Sequence, residues 1–293
     1  MRSDLANLMQ KLEKECYIDT SEELSYPPVA LSLGEKLLQS KQGDQLVPIP
    51  IGTYGNFSFI QAPPKTKKTF FISLLSSVYL SGQNNFGGNI KGHRNGRCLL
   101  HIDTEQGKFH ALRTFRRALE LNRGSIQKGC YHTFALRTLN PKTRIEFIEY
   151  CLKTKDNIGL LIIDGIADLV NDVNNIEETN EVVQQLMSWS SNFNIHIITV
   201  IHSNFNSDKP TGHLGSFLEK KCETQIQLEQ NTANKEWITV KCKRSRGYAF
   251  ETFSFEINTT GLPEVIGQEF LYDPLKGSYG STKNNGEVIP EEQ

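Results

Sequence analysis

From Asn56 to His202 the chain alternates short apolar runs with longer stretches in which apolar residues recur every three to four positions. FSFIQ is followed by FFISLLSSVYL, RCLLHID by FHALRTFRRALEL, YHTFAL by RIEFIEYCL, and IGLLIID by EVVQQLMSWSSNF; the series closes on IHIITVI. Uninterrupted apolar runs suit strands buried on both faces, and the 3.6-residue period suits helices. Strands and helices in alternation predict right-handed βαβ units, and so a parallel sheet covered by helices on both sides. After His202 the pattern changes. A polar loop, SNFNSDKPTG, leads into a short helix, and QIQLE, WITVKCK and FETFSFEI then alternate apolar with polar residues. That alternation predicts antiparallel strands appended to one edge of the sheet.

Residues 1–26 read as a helical arm of mixed charge, a candidate linker or oligomer contact. YPPVALSLG then restarts the chain in extended form, because proline disfavours helix before it. The expected organisation is an arm over 1–26, one α/β domain over 27–270, and a polar, glycine-rich tail over 271–293 that is expected to be flexible. The 293 residues suffice for one such domain with a sizeable core.

Composition excludes several classes. No run approaches the ~20 apolar residues that span a bilayer. The N-terminus is charged and amphipathic, unlike a secretory signal, so a cytoplasmic location is expected. Six cysteines occur without a C-x-x-C pair, which argues against a zinc site and a disulfide framework. A net charge of −1 gives no global attraction to nucleic acid, so any such contact falls to local basic stretches. Lys91 to Arg97, Lys108 to Lys128 and Lys235 to Arg246 are the stretches available.

Candidate chemistry begins where FSFIQ runs into APPKTKKT. A strand, a turn and a helix in that order form a phosphate cradle: helix N-terminal N–H groups face the anion, a lysine reaches the β- and γ-phosphates, and a hydroxyl ligates Mg²⁺. Lys68 and Thr69 hold the lysine and hydroxyl positions of G-x-x-x-x-G-K-[ST], within the segment Ala62, Pro63, Pro64, Lys65, Thr66, Lys67, Lys68 and Thr69. Both glycines are replaced, by Ala62 and Lys67. Downstream, LLIID describes a buried strand that delivers Asp164 at its C-terminal edge, where ligands of open α/β sheets bind. An aspartate there suits Mg²⁺; a helix-capping aspartate and solvated loop lysines are the plainer alternatives.

With these motifs in order, the segment Pro27 to Ile257 resembles RecA-superfamily P-loop ATPases of the RepA-like group, relatives of hexameric helicases on plasmids and mobile elements. GNFSFIQAPPKTKKTF, LLIIDGIADLV and IHSNFNSDKPTGHLGSFLEKKCET carry the resemblance. It implies a RecA-like core, ATP and Mg²⁺ as ligands, and an oligomer, with a ring suspected. Glu105 takes the position of the carboxylate that orients and deprotonates the attacking water, with Asp103 a substitute on the same strand face. His202 takes the position of a γ-phosphate sensor. The loop Ser203 to His213 corresponds to a segment that touches single-stranded DNA in related motors, with Phe205, Lys209 and His213 as the contacts. KCKRSRGYAFE corresponds to a strand-end finger that reaches a neighbouring subunit's ATP, with Arg246 the first candidate and Lys243 and Arg244 the others. A DNA-associated ATPase in replication or mobilisation is the leading expectation. The missing glycines keep open a nucleotide-binding regulator or scaffold with little hydrolysis.

Overall fold

A computed structural model describes residues 2–23, 26–39, 43–123, 126–204, 207–266, 270–273 and 278–281. The chain opens with α1 (Arg2–Cys16), on which Leu5, Leu8, Met9 and Leu12 form an exposed apolar stripe at helical spacing. β1 (Val29–Leu38) and β2 (Gln45–Thr53) then pair antiparallel, and β4 (Ile90–Gly92) joins the free side of β1. β2 carries Pro48 and Pro50; it is the edge of this three-stranded sheet, where missing N–H donors are tolerated.

The main sheet grows from β3 (Phe57–Ala62), β5 (Cys98–Asp103), β6 (Tyr131–Ala135), β7 (Ile158–Asp164) and β8 (His196–His202). Every pairing among them is parallel, in the order β3-β8-β7-β5-β6. β3, β5 and β7 are buried at every position, which is why their sequences are apolar runs and not alternations. The crossovers are α2 (Lys68–Ser81), α3 (Lys108–Glu120), α4 (Pro141–Thr154) and α5 (Ile176–Asn192). Local chemistry starts two of them cleanly. Asn140 caps α4 by accepting from Thr143 N–H at 2.9 Å, with Pro141 in the first turn. Asn175 caps α5, and Glu177 and Glu178 sit at the positive end of its dipole.

After β8, α6 (Gly212–Lys221) returns the chain to the opposite end of the sheet. β9 (Thr224–Gln230) therefore lies parallel to β3, a difference from the expected antiparallel pairing of QIQLE: a helical crossover permits parallel entry, where a short turn would not. β10 (Ile238–Ser245), β11 (Phe253–Ile257) and β12 (Pro263–Ile266) complete the nine-stranded sheet as the expected antiparallel extension. Within the C-terminal stretch, β13 (Phe270–Asp273) pairs antiparallel with β14 (Ser278–Ser281), while 274–277 and 282–293 lie outside the described residues. Among the described residues no helix is long and apolar enough to cross a membrane.

Candidate functional site

The C-terminal ends of β3, β5, β7 and β8 bring together Lys68, Glu105, Asp164 and His202. Parallel register puts Asp103 beside Asp164, and Ala62 beside His202. Lys68 Nζ lies 3.2 Å from His202 Nδ1 and 3.4 Å from the Pro63 carbonyl. His202 Nε2 lies 3.4 Å from Glu105 Oε1. The chemistry of the donors fixes the direction of this chain. An ammonium has no lone pair, so Nδ1 accepts from Lys68; the neutral ring then carries its proton on Nε2 and donates to Glu105.

Between Lys68 and the strand that precedes it, the phosphate loop is strained where glycine is absent. Lys65 and Lys67 are left-handed, with φ of 65° and 55°. Lys67 occupies the second glycine position of the motif and precedes α2 without a side-chain cap, so the backbone keeps the glycine conformation with a side chain in place. Thr66 Oγ1 donates to the Pro63 carbonyl at 2.7 Å and closes the loop on itself. Lys67 Nζ donates to the Glu236 carbonyl at 3.3 Å, which turns its charge towards the extension of the sheet.

Two carboxylates that the sequence treats alike separate in the structure. Asp103 is fully buried and accepts from Glu105 N–H at 3.1 Å, Gln106 N–H at 2.8 Å and Gln106 Nε2 at 2.9 Å. Its oxygens organise the turn, whereas Glu105 is more exposed, with its carboxylate on His202. The His202 hydrogen bond is the main reason the Glu105 carboxyl falls below its ordinary pKa, against the opposing effect of burial. Asp164 goes the other way: burial, reinforced by Asp103 and Glu105, pushes it up to about 7. Burial lowers the Lys68 ammonium, and Glu105 and Asp164 oppose that shift.

Thr104, which carries no motif signal in the sequence, joins the two acidic strand ends. Its hydroxyl lies 2.8 Å from the Gly165 carbonyl and 2.9 Å from Asp168 Oδ2, and it accepts from Gly165 N–H at 2.9 Å. Gly165 itself leaves room for the catalytic candidate, since a Cβ there would come within 2.9 Å of Glu105 Oε1. The near atom is the end of a flexible side chain, so Gly165→Ala is expected to displace the carboxylate and not the backbone. Turnover should fall about 10- to 100-fold with little change in melting temperature; unchanged kcat would separate Glu105 from the reaction.

A second feature that no motif announces is a cavity of about 200 Å³ beside Thr69, Phe70 and Gln106, walled by Arg113 and Arg117 from α3. Arg117 is buried, its guanidinium lies 3.7 Å over the Phe70 ring, and it donates to Ser73 Oγ at 3.3 Å. It makes no ion pair with a carboxylate among the described residues. Helical periodicity places Arg117 on the inward face of α3, but which helix it meets is a tertiary fact.

The remaining candidates lie elsewhere. Lys209 and His213 are exposed on the segment that leaves the same sheet edge, and Phe205 lies outside the described residues. Arg244 and Arg246 sit at the opposite end of the sheet, because β10 runs antiparallel to β9 and pairs Ser245 with Thr224. Arg246 is exposed, donates through Nη2 to the Lys221 carbonyl at 2.7 Å, and does not approach Lys68 of its own chain. Lys243 reaches the Asp208 carbonyl, and a register shift between Cys242 and Arg244 interrupts the simple alternation of this strand.

A lysine and threonine at a strand-to-helix turn, two acidic strand ends and a strand-end histidine, all on one edge of a parallel sheet, define a P-loop ATPase of the RecA superfamily. The chain belongs to the AAA domain family, whose model matches residues 42–208, more than half of its length. No curated protein matches the sequence. Among solved structures, the crystal structure of the RadB recombinase shares the fold, with a TM-score of 0.51 and 19% identity over 72% of this chain and 91% of that chain.

Proposed function

We propose that the protein hydrolyses ATP with Mg²⁺ and works as an oligomer on single-stranded DNA, in replication or mobilisation of a plasmid or mobile element, as its RepA-like resemblance implies. The observation that supports hydrolysis best is the unbroken contact from Lys68 through His202 to Glu105. Phosphoryl transfer asks the protein mainly for positioning and charge stabilisation. Lys68 and the N-terminal amides of α2 bind the β- and γ-phosphates. Glu105, held ionised by His202, orients the attacking water and takes its proton. Departure of the γ-phosphate frees Lys68, and His202 is the group that registers it. The His202 carbonyl accepts from both the N–H and the hydroxyl of Thr211, so the change reaches the segment bearing Lys209 and His213.

Thr69 and Asp164 are the candidate Mg²⁺ ligands. Both offer hard oxygen, and the buried negative charge around Asp164, Asp103 and Glu105 suits a divalent cation. When bound, Mg²⁺ supplies neutralisation of the charge on the phosphate oxygens. Lys209, His213 and Phe205 are proposed to contact DNA, and Arg246, with Arg244 and Lys243, to reach the ATP of a neighbouring copy. Arg246 lies at the far end of its own sheet, so any role at ATP would fall in a partner's site.

The test is steady-state ATP hydrolysis with Mg²⁺ across a titration of single-stranded DNA at two salt concentrations. Turnover should rise with DNA, and the rise should weaken with salt as phosphate contacts are screened. A flat DNA response would remove the DNA assignment while leaving the ATPase. Binding of nucleotide without turnover would instead favour a regulator or assembly scaffold. Lys65 and Lys67 in left-handed conformations are the observation behind that second reading, since their side chains stand where glycine allows close phosphate approach.

A further inference from the structure

A chain of buried side-chain hydrogen bonds crosses the sheet just behind the phosphate loop. Gln61, fully buried and one residue before Ala62, donates through Nε2 to the Asp208 carbonyl at 2.7 Å and to Ser203 Oγ at 3.1 Å. Its Oε1 accepts from Gln225 Nε2 at 2.8 Å, and that nitrogen also donates to Glu219 Oε1 at 2.9 Å. Gln225, like Gln61, is fully buried.

The direction of this chain is set at one end. An ionised carboxylate only accepts, so Glu219 obliges Gln225 to present its NH₂. Gln225 then faces the oxygen of Gln61, and the Gln61 NH₂ is left for Ser203 and Asp208. Gln225 Oε1 is left buried without a hydrogen-bond partner among the described residues, an unfavourable arrangement. Reversing the amide would bring that oxygen against Glu219, which is why the unsatisfied orientation persists. Both ends are attached to the site. Ser203 N–H donates to the Ala62 carbonyl at 3.0 Å, directly after His202. Glu219 belongs to α6, whose last residue, Lys221, receives Arg246.

We propose that Gln61 is a positioning residue: the Glu219–Gln225–Gln61 chain holds Ser203 and Asp208 against the phosphate-loop strand and couples occupation of the phosphate site to the α6 end of the sheet. The coupling to nucleotide rests on the phosphate-site reading above; the holding of Ser203 and Asp208 rests on the hydrogen bonds alone. Removing the amide takes away its two contacts to Ser203 and Asp208 and leaves Lys243 and, at 3.4 Å, Gln227 Nε2 on Asp208 and Thr211 on the His202 carbonyl, so the segment 207–211 is loosened without touching Lys68, His202 or Glu105.

The test is amide hydrogen exchange of the full chain, without nucleotide and with a non-hydrolysable ATP analogue and Mg²⁺, alongside affinity for that analogue. In Gln61→Leu, which keeps the volume and removes the polar group, exchange at 207–211 should rise about tenfold without nucleotide while β5 and β7 are unchanged. Glu219→Gln, on a half-buried helix position, relaxes the direction of the chain and should give a smaller rise. With the analogue, the wild-type segment should become protected and the Gln61→Leu segment should not, at affinities within about threefold of each other. Wild-type exchange at 207–211 in both variants, or a full analogue response in Gln61→Leu, would overturn the proposal. Should Gln61→Leu fail to fold, Glu219→Gln decides by the same comparison. Should the wild type fail to bind the analogue, the nucleotide reading falls, and with it the coupling; the nucleotide-free comparison then decides the holding role alone.

Discussion

Alanine at position 68 is expected to reduce ATP turnover by about 10²–10³-fold with the fold intact, the range seen when one preorganised electrostatic contact to a transition state is removed. Lys68 does two things in this geometry. Its ammonium bonds His202, and through the ring it fixes which nitrogen faces Glu105. After His202 it also helps to lower Glu105, and it opposes the upward push of burial on Asp164. The variant therefore loses a phosphate contact and loosens the sensor and the base together. Phosphate release at saturating ATP and Mg²⁺, with the melting curve as control, measures this. Turnover within about threefold of wild type would exclude Lys68 from phosphate contact, and Lys67 does not stand ready to replace it, because its Nζ donates to the Glu236 carbonyl.

The central strands and the helices between them were legible because full burial leaves no alternation: a run such as LLIID, short and apolar throughout, suits a strand covered on both faces and little else. The site was legible in part for the same reason, since Asp164 and His202 are the polar residues that end apolar runs, and strand ends of a parallel sheet converge. What escaped was tertiary. Asp103 and Glu105 are two positions apart and look interchangeable, yet a turn that needs three acceptor contacts takes Asp103 and leaves Glu105 free to meet His202. Gln61 and Gln225 carry no motif signal, and only the parallel pairing of β9 with β3 makes them neighbours. β2, with its two prolines, drew no strand expectation, and it sits at a sheet edge. The phosphate loop looked weak in sequence because motif glycines stand for a backbone conformation, and here lysine adopts it at Lys67.

Asp164→Asn should abolish Mg²⁺-dependent turnover and, in the absence of nucleotide and metal, make the protein more stable at pH 8. The sign follows from linkage. Burial, then Asp103 and Glu105, raise the folded-state pKa to about 7, while an unfolded aspartate titrates near ~3.9. The folded protein thus holds a proton that the unfolded chain has lost throughout the interval between those values. Its favourable contribution is fully present below about 4 and disappears as pH rises through 7, a loss on the order of 2–4 kcal/mol at most, with Lys68 opposing it and Asp168 adding to it. Asparagine carries no such proton, so its stability should vary less across that window and exceed the wild type's at the alkaline end. Melting curves in a metal chelator from pH 5 to 8 measure the difference; parallel curves for the two proteins would mean that Asp164 is not held protonated by its surroundings. Adding Mg²⁺ and ATP analogue should then reverse the order, because ligand binding stabilises only the protein that retains the carboxylate. A site that is destabilising when empty and restored by its cation is the arrangement expected of a carboxylate kept for binding, since a buried residue selected for the fold alone would be better as the amide.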